Sequence, residues 1–277
     1  MSTHSVPEED GTKAPNECEP FEVLPARTSD VGGVPVARVL PVRQKRMIGP
    51  WCFFDHAGPV LFNDNEKGMR VGPHPHTCLQ TFTWMLEGEL LHRDSLGFEQ
   101  RIRPGQLNLM TAGHGISHTE ESVFDHEGAR LHATQLWIAL PKEKADMHPG
   151  FEHYPELPQR KVGDFKATVL AGEYDGAESP ATFYSPIIGI ELSATSNGST
   201  AKATGSGDVE KGEFSARCEL ELNTGFEHGV MLLEESDAKT GSSGSRISIV
   251  ASDQQGKSTT AESSQDELIV LPVGLTH

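Results

Sequence analysis

Long apolar runs are missing from this 277-residue chain. No segment supplies the roughly 20 consecutive apolar residues that a membrane-spanning helix needs. Basic residues are scarce: 23 lysines and arginines stand against 40 acids, a formal charge of −17. Nucleic acid and anionic membranes both require a basic footprint, so a field of this sign argues against direct binding to either. A protein partner could still bring the chain to DNA. Cysteine is sparse too. Cys18, Cys52, Cys78 and Cys218 form no CxxC pair, which excludes a disulfide framework and a zinc–thiolate site. They read as reduced thiols of a cytoplasmic protein. The opening MSTHSVPEEDGTKAPNECEP lacks the basic-then-apolar order of a signal peptide. Its polar, proline-bearing composition is expected to form a disordered lead-in over residues 1–30, with Glu8, Glu9 and Asp10 solvated.

What is present is strand. Helical periodicity is weak throughout, whereas CLQTFTWMLEGELLHRDS places Phe82, Trp84 and Leu86 on one face and Thr81, Thr83 and Met85 on the other. Pro104-Gly105 marks a turn before the next alternating run, and ARLHATQLWIALP is a further strand closed by Pro141. FKATVLAGEY, SPIIGIELSA, FSARCELELN, HGVMLLEES, RISIVAS and DELIVLPV continue the texture. Two polar inserts, TSNGSTAKATGSGDVEKGE and Ser252 to Gln265, read as solvated hairpin loops. Many short strands punctuated by glycine and proline mean an all-β antiparallel sandwich or barrel. The proline-rich stretch between Pro141 and Phe165 is the expected boundary, giving units 31–145 and 146–277 of similar length.

Two short patterns carry chemistry. GPHPHT holds His74 and His76, and GHGISHTEE holds His118 and Glu120, each pair at i and i+2. On a strand, residues so spaced share a face. Pro75 removes a backbone donor, which suits a strand start or an edge, and Gly113 and Gly115 permit a close approach before His118. Two such pairs close a set of three imidazoles and one carboxylate. That set suits a first-row ion such as iron, manganese, copper, nickel or zinc, and not calcium or magnesium. The plain alternative is that an HxH on a strand faces solvent or sits satisfied in the core; the second pair weakens it. Residues 146–277 hold no HxH or HxE, and from about Phe165 onward their only histidines are His228 and His277, so no metal site is expected in 146–277.

The stretches MIGPWCFFDHAGP, HPHTCLQTFTWMLEGELLHRDSLG, RPGQLNLMTAGHGISHTEES and HATQLWIALP run from about Gly32 to Pro141. They resemble the pirin family of the cupin superfamily; the second half is similar only loosely. The resemblance implies two stacked cupin-type antiparallel β-barrels, a bicupin. The first barrel would hold iron(II) through His74, His76, His118 and Glu120. It also implies that pirins continue beyond PVGLTH with a segment that helps tie the barrels together. Gln80 stands where many pirins have glutamate, which leaves Glu120 as the single ligand carboxylate. Cys78 stands where pirins usually have glycine; by strand parity it could face the pocket, and a buried inert thiol is the plainer reading.

The implied activity is that of a quercetinase-like dioxygenase, acting on a flavonol-like aromatic substrate with O2 and using Glu120 as the general base. The other class is a regulatory protein whose metal-dependent fold binds a transcription or metabolic protein partner. Other residues have structural readings first. His56 with Asp55 would serve turn and strand hydrogen bonds. Trp51, Phe53, Phe54, Trp84 and Trp137 would be core, some of them lining a cavity. His92, His114 and His132 could reach the metal pocket but read first as surface or hydrogen-bonded histidines, and Gln135 is a candidate polar contact for substrate.

Overall fold

A computed structural model describes residues 21–63, 66–124, 129–194, 217–233, 247–252, 258–263 and 267–271. Its first half runs through β1 (Glu22–Pro25), β2 (Arg27–Val31), β3 (Val34–Leu40), β4 (Trp51–Leu61), β5 (Arg70–His76), β6 (Leu79–Glu87), β7 (Leu90–Asp94), β8 (Glu99–Ile102), β9 (Leu107–Thr111), β10 (Ile116–Ser122) and β11 (Arg130–Ala139). Then follow β12 (Gly150–Tyr154), β13 (Gln159–Val162), β14 (Phe165–Ala171), β15 (Glu173–Tyr174), β16 (Ala177–Glu178), β17 (Gly189–Ala194), β18 (His228–Met231), β19 (Ile247–Ser252), β20 (Ser258–Ser263) and β21 (Glu267–Leu271). The all-β expectation holds. Among the described residues the only helical element is a 3-10 turn at Lys142–Lys144, and no helix is long and apolar enough to cross a membrane.

Two sheets build the first half. The larger has seven strands in the order β12-β9-β6-β11-β4-β3-β2, and the smaller has four, β5-β10-β7-β8. They face each other across a buried cluster in which Val34, Met85 and Leu131 from the larger sheet meet Leu90 and Ile102 from the smaller. This is a two-layer antiparallel arrangement; the described strands of the two sheets meet face to face, not through a continuous ring of pairing. The other face of the larger sheet is also covered. Phe82, Trp84, Leu107, Leu109 and Ile138 pack with Leu170, Ala171 and Ile187 of the second half. Strand β6 therefore keeps the two faces its alternation defines, yet it is buried on both. A side chain such as Phe82, hidden this completely, contributes about 2–3 kcal/mol of transfer free energy.

The second half contributes the sheet β13-β14-β17, whose Val169 clusters with Tyr174, Ala177, Val162 and Ile190. The halves also trade edge strands. β1 pairs with β21 in a sheet completed by β18, and Leu24, Leu268 and Val270 pack against Val39, Leu40 and Ile48. β12 crosses the other way and pairs with β9. Each exchange gives partners to backbone groups that an open sheet edge would leave unpaired.

Three expectations meet different findings. The lead-in was expected to be unstructured to residue 30, but β1 and β2 lie inside it, because Leu24 supplies a buried anchor and β21 a pairing edge; residues 1–20 lie outside the described set. The stretch from Ser252 to Gln265 was expected to be loop, but its threonine-bearing Ser258–Ser263 pairs with β19, as β-branched residues favour. The strand expected at FSARCELELN shows no strand over its described residues 217–223. The first polar insert lies outside the described residues.

Candidate metal centre

Register decides which side chains meet. β10 lies between β5 and β7 in the four-stranded sheet. His118 is directly opposite His74 on one side and opposite Asp94 on the other, and Glu120 is opposite His92. Alternation then puts His74, His76, His92, Asp94, His118 and Glu120 on one face. Pro75 is tolerated because β5 is the edge strand. Gly113, at φ +52°, is needed where it stands: a Cβ there would lie 2.0 Å from the Met147 carbonyl oxygen. That approach shapes the turn from which β10 starts.

The ligating atoms of His74, His76 and His118 all lie within 4.8 Å of one another, and those of His92, His118 and Glu120 form a second such group. The structure thus brings the three expected histidines together. It places Glu120 beside His118 in a group that includes His92 instead of His74 and His76. His76 Nε2 is 3.1 Å from His118 Nε2. His74 Nδ1 donates to the Gly72 carbonyl at 2.9 Å, which leaves its lone pair on Nε2. Nitrogens sharing one ion at about 2.0–2.1 Å would lie at such mutual distances, so the donor set fits a transition metal.

Burial sets the protonation of these groups. His118 is driven down to about 2 by burial, reinforced by His74, His92 and His76. His76 is lowered to about 4, by burial and then by His74. Both are neutral at pH 7, the form that binds metal. Burial also lowers His92, which Asp94 partly offsets. The Glu120 carboxyl is pushed up to about 7 by burial, opposed by the Thr83 hydroxyl. That opposition is weak for a geometric reason. Thr83 has one hydroxyl proton and two acceptors, Gln135 Oε1 at 2.7 Å and Glu120 Oε1 at 3.5 Å, and the shorter contact takes it.

An aromatic wall leads away from the histidines. Trp137 meets His76 edge-on at 4.9 Å and stacks on Phe53 at 4.0 Å. The Arg38 guanidinium sits 4.5 Å over Phe53 and holds Asp55 by two hydrogen bonds of 2.6 Å. Burial raises the Asp55 carboxyl, and Arg38 pulls it back.

Several residues fall elsewhere than expected. Cys78 is exposed, not buried, and does not continue the parity of His74 and His76, because its φ of +61° turns the chain between β5 and β6. Gln80 faces away from the histidines. It is fully buried and donates to Thr111 Oγ1 at 2.9 Å and to the Thr182 carbonyl of the second half at 3.0 Å. His56 pairs with buried His132 at 2.7 Å, while Asp55 serves Arg38. His114 is exposed. His92 is among the histidines expected to be able to reach the pocket, whereas sequence reasoning missed Thr83, Arg38 and Asp94 as members of the site. The last had a signal: HRD repeats the i, i+2 spacing of HTE.

The family model described as Pirin matches residues 33–138. The chain is 52 % identical over 210 residues to a "Putative quercetin 2,3-dioxygenase" of Pseudomonas aeruginosa, a match covering 76 % of this chain and 60 % of that relative's length. Among solved structures, it is similar to a quercetin 2,3-dioxygenase from Acinetobacter baumannii, at 43 % identity and a TM-score of 0.70, covering 92 % of this chain and 73 % of that one. The bacterial pirin YhhW from Escherichia coli, solved in complex with nickel(II), shares the fold at 14 % identity and a TM-score of 0.51, covering 90 % of this chain and 89 % of that one.

Proposed function

The chain belongs to the pirin family, and from that membership and its histidine cluster we propose a metal-dependent dioxygenase of the quercetinase type, opening a flavonol or related enol with O2. The observation that carries this reading is the convergence of His74, His76 and His118 next to a carboxyl, Glu120, held near neutrality. In this reading His74, His76, His118 and Glu120 hold the metal. The metal barrel comprises residues 31–145, and residues 146–277 form a barrel without a metal site. Support for the division comes from β5, β7 and β10, which bring all the clustered groups from the first half.

A divalent transition ion, iron(II) in this reading with manganese, copper, nickel or zinc as alternatives, would supply Lewis acidity that favours the enolate and its reaction with O2. The chain's own residues do the rest. Glu120 would accept the enol proton; burial lifts its carboxyl to about 7 in the metal-free chain, and ligation would favour the ionised form, which accepts a proton but is the weaker base. Once protonated, it has an acceptor in the Thr83 oxygen, whose own proton goes to Gln135. Trp137, partly exposed and edge-on to His76, offers an apolar surface beside the histidines for a planar aromatic substrate.

The test is Glu120→Gln reconstituted with iron, with single-turnover O2 consumption followed at confirmed metal occupancy. It should still bind a flavonol but turn it over at least about 100-fold slower, the lower end of general-base contributions. Near-normal turnover would remove Glu120 as the base. Absence of O2 uptake by the wild type across a flavonol panel would favour the regulatory reading instead.

A further inference from the structure

We propose that Asp94 and His92 are positioning residues that fix which nitrogen of His118 carries the proton, so that Nε2 is always presented bare to the metal. One group in the chain of contacts has a hydrogen-bonding role of a single direction. The Asp94 carboxylate is completely buried and can only accept. Its Oδ1 takes the backbone N–H groups of Leu96 at 2.9 Å and Phe98 at 3.1 Å, which locks the carboxylate in place. Its Oδ2 lies 3.1 Å from His92 Nε2. His92 must therefore carry its proton on Nε2. A neutral imidazole has one N–H, so His92 Nδ1 is an acceptor. The atom facing it, at 3.3 Å, is His118 Nδ1. That nitrogen must then be the donor, and the lone pair of His118 falls on Nε2, toward His76.

The chain of contacts is also held mechanically. The His92 ring is stacked on Phe151 at 4.5 Å with an interplanar angle of 18°, and Phe151 comes from β12. A ring so clamped between a strand partner and a stack cannot turn to exchange its nitrogens without breaking both contacts. The usual support for a ligating histidine is one acceptor behind it. Here the acceptor is a second histidine, itself aimed by a carboxylate one step further out. His92 of the His92–His118–Glu120 group is thereby assigned to support, not to ligation.

This inference rests on His118 being a ligand, and one substitution separates the two ideas. In Asp94→Asn the side-chain oxygen can remain on the Leu96 and Phe98 amides, while an NH2 replaces Oδ2. That NH2 donates to His92 Nε2, His92 must protonate Nδ1, and His118 is pushed to carry its proton on Nε2, where it blocks the metal. The expected results are a loss of cobalt(II) affinity of about 10–100-fold by chelator competition, and a His118 proton moved from Nδ1 to Nε2 in 15N spectra of the metal-free chain. His92→Phe keeps the stack and removes both nitrogens; it should weaken cobalt(II) comparably and stands in if Asp94→Asn does not fold. Wild-type cobalt(II) affinity in these variants, or a His118 proton that stays on Nδ1 in Asp94→Asn, overturns the proposal. A wild type that binds no cobalt(II) overturns the ligand assignment itself, and the 15N result still decides the proton pattern.

Discussion

The two halves of this molecule are woven from the same kind of strand and filled with different chemistry. In the first, the inner face of the four-stranded sheet carries His74, His76, His92, His118 and Glu120. In the second, the corresponding burial is apolar: Ala167, Val169, Ala171, Tyr174 and Ala177. Packing needs only the alternating apolar faces, as the second half demonstrates. Imidazoles and a carboxyl in such positions are desolvated, which drives His118 and His76 far down and Glu120 up. The contrast teaches that the first half gives up apolar packing to gather imidazoles and a carboxyl that could hold an ion, and that the two halves share a core.

The sharpest way to break this contrast is stoichiometry. His74→Ala/His76→Ala, reconstituted with iron, should fall from about one bound equivalent per chain to near zero by elemental analysis, since it removes half of a four-ligand set. An equivalent that persists would place a site in the second half. Next in size is the shared core. Phe82→Ala should lower unfolding free energy by about 3–5 kcal/mol in denaturant titrations while leaving metal stoichiometry unchanged. A loss below about 1 kcal/mol would mean the halves do not stabilise each other through that face.

A smaller effect concerns Arg38 and Asp55. Arg38→Met strands a buried carboxylate and should cost about 2 kcal/mol, less than the ~3–5 of a fully buried pair because Arg38 is partly exposed. Adding Asp55→Leu should restore most of the loss in the same titration; a further drop would show that the pair matters for more than charge balance. Smallest is a slope. With a Glu120 pKa near 7, metal-free protein holds a proton there below neutrality, and ligation must expel it. Metal affinity of the wild type should therefore fall about tenfold more per pH unit below 7 than that of Glu120→Gln, about 1.4 kcal/mol per unit. His76 and His118, at about 4 and 2, are already deprotonated in that range and do not contribute. Parallel slopes by isothermal titration would take Glu120 out of the ligand set.

Much of the site was legible because strand alternation has a period of two. That period puts His74 with His76 and His118 with Glu120, and separates Phe82 and Trp84 from Thr83 and Met85 before any contact is known. It failed where the chain left the strand. At Cys78 a positive φ resets the parity, so Gln80 turned out to serve Thr182 in the second half and not the histidine pocket. It was also silent on partners across strands: nothing in HRD says that Asp94 will lie opposite His118, or that Asp55 will find Arg38, 17 residues earlier.

By itself, the sequence determined the all-β class, the alternating faces, the two same-face pairs and the poverty of the second half in ligands. Each is local, set by side-chain type and a spacing of two. Tertiary structure alone decided the rest: the register that sets His118 between His74 and Asp94, the exchange of β1 and β12 between halves, and the burial that drives Glu120 to about 7. Desolvation and cross-strand pairing depend on what the fold brings alongside a residue, and a linear pattern does not contain that neighbour.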